Sequence, residues 1–505
     1  MRSGPPLASR FWIKFGLALT LAALADLFFY DQTPGSTVGG FALALILVLL
    51  AVHPPLRKDR RARWALLAAL ILALAECDAP SLLGGLLIYA ALGVAVLSPR
   101  APSGENGGQW LQRLAIMTVV GWAGGMIDAL KLRRRTGIKL ILRRLGLAIL
   151  PLAGGALFLA LFAAANPIIE TTIEGFELGP PDIPRLLFAL AMLVLTWTFL
   201  RPRQLRRTLS LPVSETSRPI PGVPVSSLGA SLALFNALFV MENGLDVAFL
   251  WSGAPLPKGV TLADYAHRGA YPLILTALLA GLFVLVVFRP GSEAARRPWL
   301  RRLVVLWVAQ NLILVASSIL RTVDYVEAYS LTRLRIAALV WMALVALGLV
   351  LICWRLLRGK SASWLIDANL AAAGLALAAC SIVDLGSLAA TWNVRHAREV
   401  GGAGAGLDLC YLNNLGASAL VPLSELEAQP LASPFRDRVT YVRARVVTEV
   451  EIRQEHWRGW TWRDQRRLAR ADAVRPGHGT LLTLPLGARD CDGALIATAA
   501  AMPAR

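Results

Sequence analysis

Charge is what this chain lacks. Only 16% of its 505 residues are Asp, Glu, Lys or Arg, against about a quarter in an ordinary soluble domain. Acidic residues are the scarcer sign, 32 against 51 Lys and Arg. Histidine and cysteine number five each. His267, His396, His456 and His478 have no partner at metal-ligand spacing, and His53 lies at the end of an apolar run, so no metal site is expected. No glycine loop is placed to cradle a phosphate: GGAGAG at 401–406 follows no strand and reads as a linker. No nucleophile–base pair is visible either. The sequence therefore offers no catalytic residue and no cofactor, and an enzyme is the least supported class.

What is present is apolar sequence, 56% of the chain. Runs of roughly 17–25 residues, the length that crosses a bilayer core, recur from Phe11 to Leu385. The expectation is an all-α, polytopic helical membrane protein of about 11 transmembrane helices with a small, mainly helical C-terminal extramembrane region. The spans fall at 11–30, 38–53, 64–77, 81–97, 145–165, 185–200, 226–251, 269–288, 303–320, 333–354 and 363–385. Residues 1–219 form an N-terminal transmembrane region of six spans with a basic segment at 98–144. Residues 220–390 hold five more, and 391–505 form the extramembrane region with a loose tail from Ala488.

The net charge of +19 does not call for nucleic acid. The basic residues sit in short loops rather than on one face of a domain. RKDRRAR at 57–63, KLRRRTGIKLILRR at 131–144, RPRQLRR at 201–207, RPGSEAARRPWLRR at 289–302 and RLLRGK at 355–360 occupy alternate loops. The intervening loops hold Asp31, Asp78, Glu170, Glu174, Glu177 and Asp182. Basic loops stay in the cytoplasm, so the N-terminus is expected inside and the C-terminus outside. Trp110–Leu130 would break this alternation if it crossed, and is read as one or two helices in the cytoplasmic interface. The partners implied are membrane lipids, with a protein partner at the outer face and no nucleic acid. WRGWTWRDQRRLAR at 457–470 interleaves tryptophan with arginine and reads as a segment resting on the membrane surface.

Polar residues inside apolar runs mark candidate sites. Glu242 lies within the 226–251 run, with Asn236, Asn243 and Asp246 along one stripe. A neutral Glu242, hydrogen-bonded to Gln310 or Asn311 on a neighbouring helix, is one expectation; a carboxylate coupled to protons or substrate is the other. An outer polar cluster is drawn from Asp264, His267, Arg268, Arg321, Asp324, Tyr325, Glu327, Arg333 and Arg335. Asp324 follows Arg321 by three residues and is placed to pair with it. The loop 252–268 is expected to fold over these helix ends. An anion or headgroup site of arginines is the alternative use of the cluster. Of the cysteines, Cys77, Cys353 and Cys380 fall in spans, while Cys410 and Cys491 share the outer region, where a disulfide is permitted.

Three stretches carry a resemblance. LWSGAPLPKGVTLADYAHRGAYPL at 250–273, SSILRTVDYVEAYSLTRLRIAALVWM at 317–342, and WNVRHAREV followed by GLDLCYLNNLG resemble bacterial multi-pass membrane proteins of the domain of unknown function 4173 family. The resemblance covers 235–430 and implies an inner-membrane protein; it brings no catalytic residues. Leu262 and Ser330 depart from it, where an aromatic residue and a glycine are expected. Two functional readings follow: a structural or signalling accessory with an outer polar face, or a transporter or permease of a small solute or lipid using an intramembrane carboxylate.

Overall fold

A computed structural model describes residues 7–136, 154–155, 182–203, 224–248, 275–276, 279–283, 288, 296–475 and 489–495. Among them the secondary structure is helical, with one isolated bridge between Arg489 and Leu495. Apart from single turns such as Pro55–Lys58, the helices are α1 (Leu7–Phe29), α2 (Thr37–Val52), α3 (Arg60–Asp78), α4 (Leu82–Leu97), α5 (Gly107–Thr136), α6 (Ile183–Leu200) and α7 (Val225–Asp246). Then follow α8 (Pro298–Tyr329), α9 (Arg333–Arg358), α10 (Ala362–Ile382), α11 (Leu385–His396), α12 (Leu409–Leu415), α13 (Leu420–Glu427), α14 (Ser433–Glu455) and α15 (Trp462–Val474).

Seven stretches among the described residues are long and apolar enough to cross a membrane: Phe11–Phe29, Leu82–Arg100, Ile183–Leu200, Val225–Asp246, Pro298–Tyr329, Arg333–Arg358 and Ala362–Ile382. The chain is thus a helical, membrane-embedded protein, and the count of eleven is not reached. The shortfall has two causes. Thr37–Val52 has 16 residues and falls short in length, while α3 begins with Arg60, Arg61 and Arg63 inside the helix. The runs 145–165 and 269–288 lie wholly or largely outside the described residues.

The chain divides into two compact units. The first comprises residues 1–73, 88–102 and 111–208. Here α1 and α6 lie antiparallel. Phe11 and Phe15 pack edge-on against Trp197, with ring centroids 5.5 and 6.2 Å apart. At the other end Arg185 pairs with Asp26 at 2.7 Å, and the Tyr30 hydroxyl donates to Asp182 at 2.7 Å. The C-terminal carbonyl of α6 gathers basic groups, as the negative end of a helix dipole should: Lys14 donates to the Leu200 carbonyl at 2.6 Å, and the His53 ring nitrogen lies 3.1 Å from it. The segment read as interfacial is part of one helix, α5. Its Thr118 meets Tyr89 at 3.0 Å, and Asp128 takes Arg203 at 2.7 Å and the Trp197 indole at 3.3 Å.

The second unit comprises residues 74–87, 103–110 and 209–505. In it α7 and α8 run parallel, since Asn236 meets Leu303 and Gln310, Asn243 meets Gln310, and Asp246 meets Arg321. At 32 residues α8 is roughly 48 Å long, longer than the ~30 Å hydrocarbon core. It turns sharply into α9 at Ser330–Thr332. The α9 helix starts on Thr332, whose hydroxyl accepts from the Arg335 amide, and stops at Gly359, whose φ of +63° only glycine takes without strain. The α10 helix starts on Ser361, which accepts from the Trp364 amide.

Beyond Ile382 the chain builds a separate helical cap, α11–α15. Asp384, Asp408 and Thr461 cap α11, α12 and α15. Leu409, Leu412, Leu420, Leu423, Val439, Val442 and Val446 meet in its core. Glu427 is buried in that core and is held by Arg443, by Arg475 at 3.0 Å and by the Thr440 hydroxyl at 2.6 Å. Cys410 and Cys491 form a disulfide. The disulfide and Arg438, which donates to the Cys491 carbonyl, fix 489–495 against the cap, and the Arg489–Leu495 bridge closes the segment on itself, so this part of the stretch read as a loose tail is ordered; 496–505 lie outside the described residues.

The stretch read as a linker, 401–406, is also built in. Gly402 and Gly404 donate to the carbonyls of Ala397 and His396, closing the end of α11, and Arg398 donates to the Gly404 carbonyl at 2.9 Å. A side chain at Gly402 would collide with the His396 carbonyl.

Candidate functional site

Two polar arrangements of the second unit stand out, a seam between α7 and α8 and a cleft where α8 meets the cap. The seam contains the expected intramembrane residues, in a different pairing. Gln310 donates to the Asn236 side chain at 2.6 Å, and Asn236 donates to the Leu303 carbonyl at 3.2 Å. Asn243 donates to the Gln310 carbonyl at 3.2 Å, and Asn311 to the Trp307 carbonyl at 2.8 Å. Asp246 and Arg321, each more than nine-tenths buried, form an ion pair. Glu242 stays 42% exposed and its carboxylate lies 3.9 Å from Arg321.

Glu242 is therefore paired with a cation rather than hydrogen-bonded to Gln310 or Asn311. One turn of helix explains the difference. Asn236, Asn243 and Asp246 fall at i, i+7 and i+10 and face α8, while Glu242 points beside that stripe. The buried carboxylate of the seam is Asp246. Arg321 likewise reaches across to α7 rather than along its own helix to Asp324.

The outer cluster divides among several partners. Arg335 folds back over the Tyr325 ring, 4.2 Å from its centroid, and donates to the carbonyls of Tyr329, at 2.6 Å, and Ser330. Arg333 donates to the Ser418 hydroxyl at 3.3 Å, and its amide donates to the Tyr411 hydroxyl at 3.0 Å. Arg321, Arg333 and Arg335 thus point to different places and do not form one anion fork. Asp264, His267 and Arg268, like the whole 252–268 loop, lie outside the described residues.

Asn393 supplies the contact that sequence reasoning missed. Its side chain accepts from the Leu331 amide at 2.6 Å and donates to the Leu331 carbonyl at 2.9 Å. This two-way bond holds the α8–α9 turn against α11, and it fixes Ser330 at φ +71° and ψ 163°. That region of backbone space is populated almost wholly by glycine, so Ser330 is strained. Beside it opens a cleft of about 240 Å³, lined by Val326, Glu327, Ser330, Trp392, Asn393, His396 and residues 403–405. Trp392 and His396 stack at 3.9 Å, one helical turn apart.

A second knot fastens the cap to the helix ends. Asp384 binds Arg467 and the Ser418 hydroxyl, and caps α11 through the Ser387 amide at 3.0 Å. Burial alone would raise the Asp384 carboxyl; the Arg467 charge and these hydrogen bonds outweigh it and hold the group below the usual carboxylate range. Arg463 and Arg466 bind Asp78 at the end of α3, and Arg463 also donates to the Ile382 carbonyl at 2.8 Å. The tryptophan–arginine segment thus begins α15 and abuts the ends of α3 and α10.

Two of the three stretches of the family resemblance are partly explained by this geometry, while 250–273 lies outside the described residues. Residues from 317–342, from WNVRHAREV and from GLDLCYLNNLG converge on the α8–α9 turn through Leu331, Arg333, Asn393 and Tyr411. The family that matches is the one described as Domain of unknown function (DUF4153), over residues 17–426. The chain belongs to it. The number 4173 is corrected to 4153, and the match reaches far beyond 235–430, taking in most of the helices of both units. The DUF4153 match ends at the close of α13, so α14, α15 and Cys491 lie past it. No curated protein and no solved structure matches the chain.

Proposed function

We propose that this DUF4153 protein is a bacterial inner-membrane accessory protein, structural or signalling, whose outer cap offers the Ser330–Trp392 cleft to a partner. The cleft carries this reading, because the polar side chains of Glu327 and His396, an aromatic stack and a strained backbone residue meet there. Strain of this kind collects where a surface has work to do. The orientation proposed is N-terminus in the cytoplasm and C-terminus outside. It is supported by Arg297, Arg301, Arg355, Arg358 and Lys360 lying at the ends of α8 and α9 remote from the cap. The parallel course of α7 and α8 suits a chain that recrosses the membrane between them, as an eleven-span path requires. A disulfide in the cap suits an oxidising compartment.

Two measurements test this. Cytoplasm-only reporters fused after Arg207 or Lys360 should be active, and one fused after Arg475 inactive; an active fusion after Arg475 puts the cap inside and ends the proposal. A photo-crosslinking residue at Glu327 or His396 should then trap a discrete protein in living cells, while one at exposed Leu334, outside the cleft, should not. Equal, diffuse labelling at all three positions would refute the partner.

The permease reading retains one observation in its favour. The seam of Asn236, Asn243, Gln310 and Asn311 is polar at membrane depth, and polar groups there often mark a transport path. Uptake by proteoliposomes that is lost in Asn311→Leu would favour it.

A further inference from the structure

We infer that the cleft beside Ser330 receives an ammonium group, supplied by a lysine side chain of the partner. This rests on the accessory reading and names the chemistry its surface selects. Glu327 lines the cleft, is exposed, and makes no ion pair among the described residues. The cations around it are engaged elsewhere: Arg335 lies on the Tyr325 ring and on the carbonyls of Tyr329 and Ser330, Arg398 on the Gly404 carbonyl, and Arg333 on Ser418. A carboxylate is thus left to an incoming cation.

Trp392 adds the second element. Its ring is stacked on His396 yet remains 37% exposed, so indole surface is still available at the cleft. The face of an indole attracts cations, most strongly where water is thinned. An aromatic face and a carboxylate lining one cleft suit an alkyl chain ending in positive charge. Neither suits an anion. A guanidinium could grip both carboxylate oxygens and stack on the indole, so tighter binding of n-propylguanidinium than of n-butylammonium in the test below would overturn the lysine. The cleft is also small, at about 240 Å³, too small for a folded element and ample for one extended side chain.

Most of the wall is already fixed before anything binds. Asn393 is committed to both main-chain groups of Leu331, and the glycine loop is bonded to the end of α11. A side chain entering here meets a preformed surface, which limits the ordering cost of association.

The test uses the purified full chain in detergent, with n-butylammonium chloride as the probe for a lysine arm. Addition of the probe should change tryptophan emission saturably. The change should be absent in Trp392→Phe, and the affinity at least about tenfold weaker in Glu327→Gln, the equivalent of ~1.4 kcal/mol. Sodium chloride and n-butanol should give no such response. In intact membranes, carbodiimide should join the chain to a partner protein in the wild type and fail in Glu327→Gln. Glu327 is exposed, so its amide is expected to fold; thermal unfolding of both variants checks this. An unchanged response in either variant, or none in the wild type, overturns the inference. If photo-crosslinks from the cleft persist when butylammonium fails, the accessory reading stands and only the ammonium chemistry falls. Butylammonium binding without a Glu327-dependent crosslink would overturn the lysine source and point to a free amine.

Discussion

The side chain of Asn393 satisfies both main-chain groups of Leu331, 62 residues earlier in the chain. An amide spanning a peptide in this way acts as one rung of a sheet ladder, formed by a side chain on a helix. It fixes the α8–α9 turn against α11 and keeps Ser330 in a conformation suited to glycine.

Removing that rung should be costly. Asn393→Ala leaves the Leu331 amide and carbonyl without partners in a buried place, at about 1–3 kcal/mol for each group. Ser330→Gly should act in the opposite direction, recovering part of the roughly 1–3 kcal/mol of backbone strain. Thermal unfolding of the purified protein should place the two variants on either side of the wild type. A lowered midpoint for Ser330→Gly would show that the turn is not strained.

Gly402 supplies a second local test. An added methyl would meet the main-chain oxygen of His396, which cannot swing aside as a flexible side chain could. Gly402→Ala should loosen the end of α11 and speed proteolysis between 396 and 407. Gly406→Ala should not, since its nearest contact is the Glu399 side chain at 3.3 Å. Equal cleavage of the two variants would restore the linker reading of this loop.

Acid should release the cap through Asp384. Its folded-state pKa is held below the unfolded value. Its contribution is therefore present above the ordinary carboxylate pKa, near 4, and is lost as pH falls through the folded value. The cap's unfolding midpoint should drop as pH is lowered from about 6 to 3. Asp384→Asn should be less stable than wild type at neutral pH and show a flatter dependence on acid. A parallel pH profile in the two proteins would remove Asp384 from the knot.

How much of this was legible in the sequence depended on the range of the contact. Hydropathy and alternating loop charge are summed over many residues, so they reported membrane helices and a change of character after Leu385. Single contacts could not be read this way. Nothing local to Asn393 says that it meets Leu331, and GGAGAG looks the same whether it is loose or bonded to a helix end. Glu242 and Asp246 differ by one turn, and only the neighbouring helix decides which is buried. Ser330 did carry a signal, since a glycine was expected there, and its positive φ gives the physical reason.

That one-turn difference yields the sharpest test of the seam. Asp246 and Arg321 are 2% and 6% exposed, so removing one partner breaks a buried ion pair, at about 3–5 kcal/mol. Asp246→Asn should sharply lower thermal stability and the amount of protein recovered from membranes. Glu242 is 42% exposed and 3.9 Å from the same guanidinium, in the range where ion pairs contribute little. Glu242→Gln should be nearly silent in both measurements. Asp246→Asn combined with Arg321→Met should recover much of the loss, because the double variant buries neither charge. If Glu242→Gln is the more damaging substitution, the carboxylate that matters is not the one buried against α8. The permease reading, with Glu242 at its centre, would then take precedence over the accessory one.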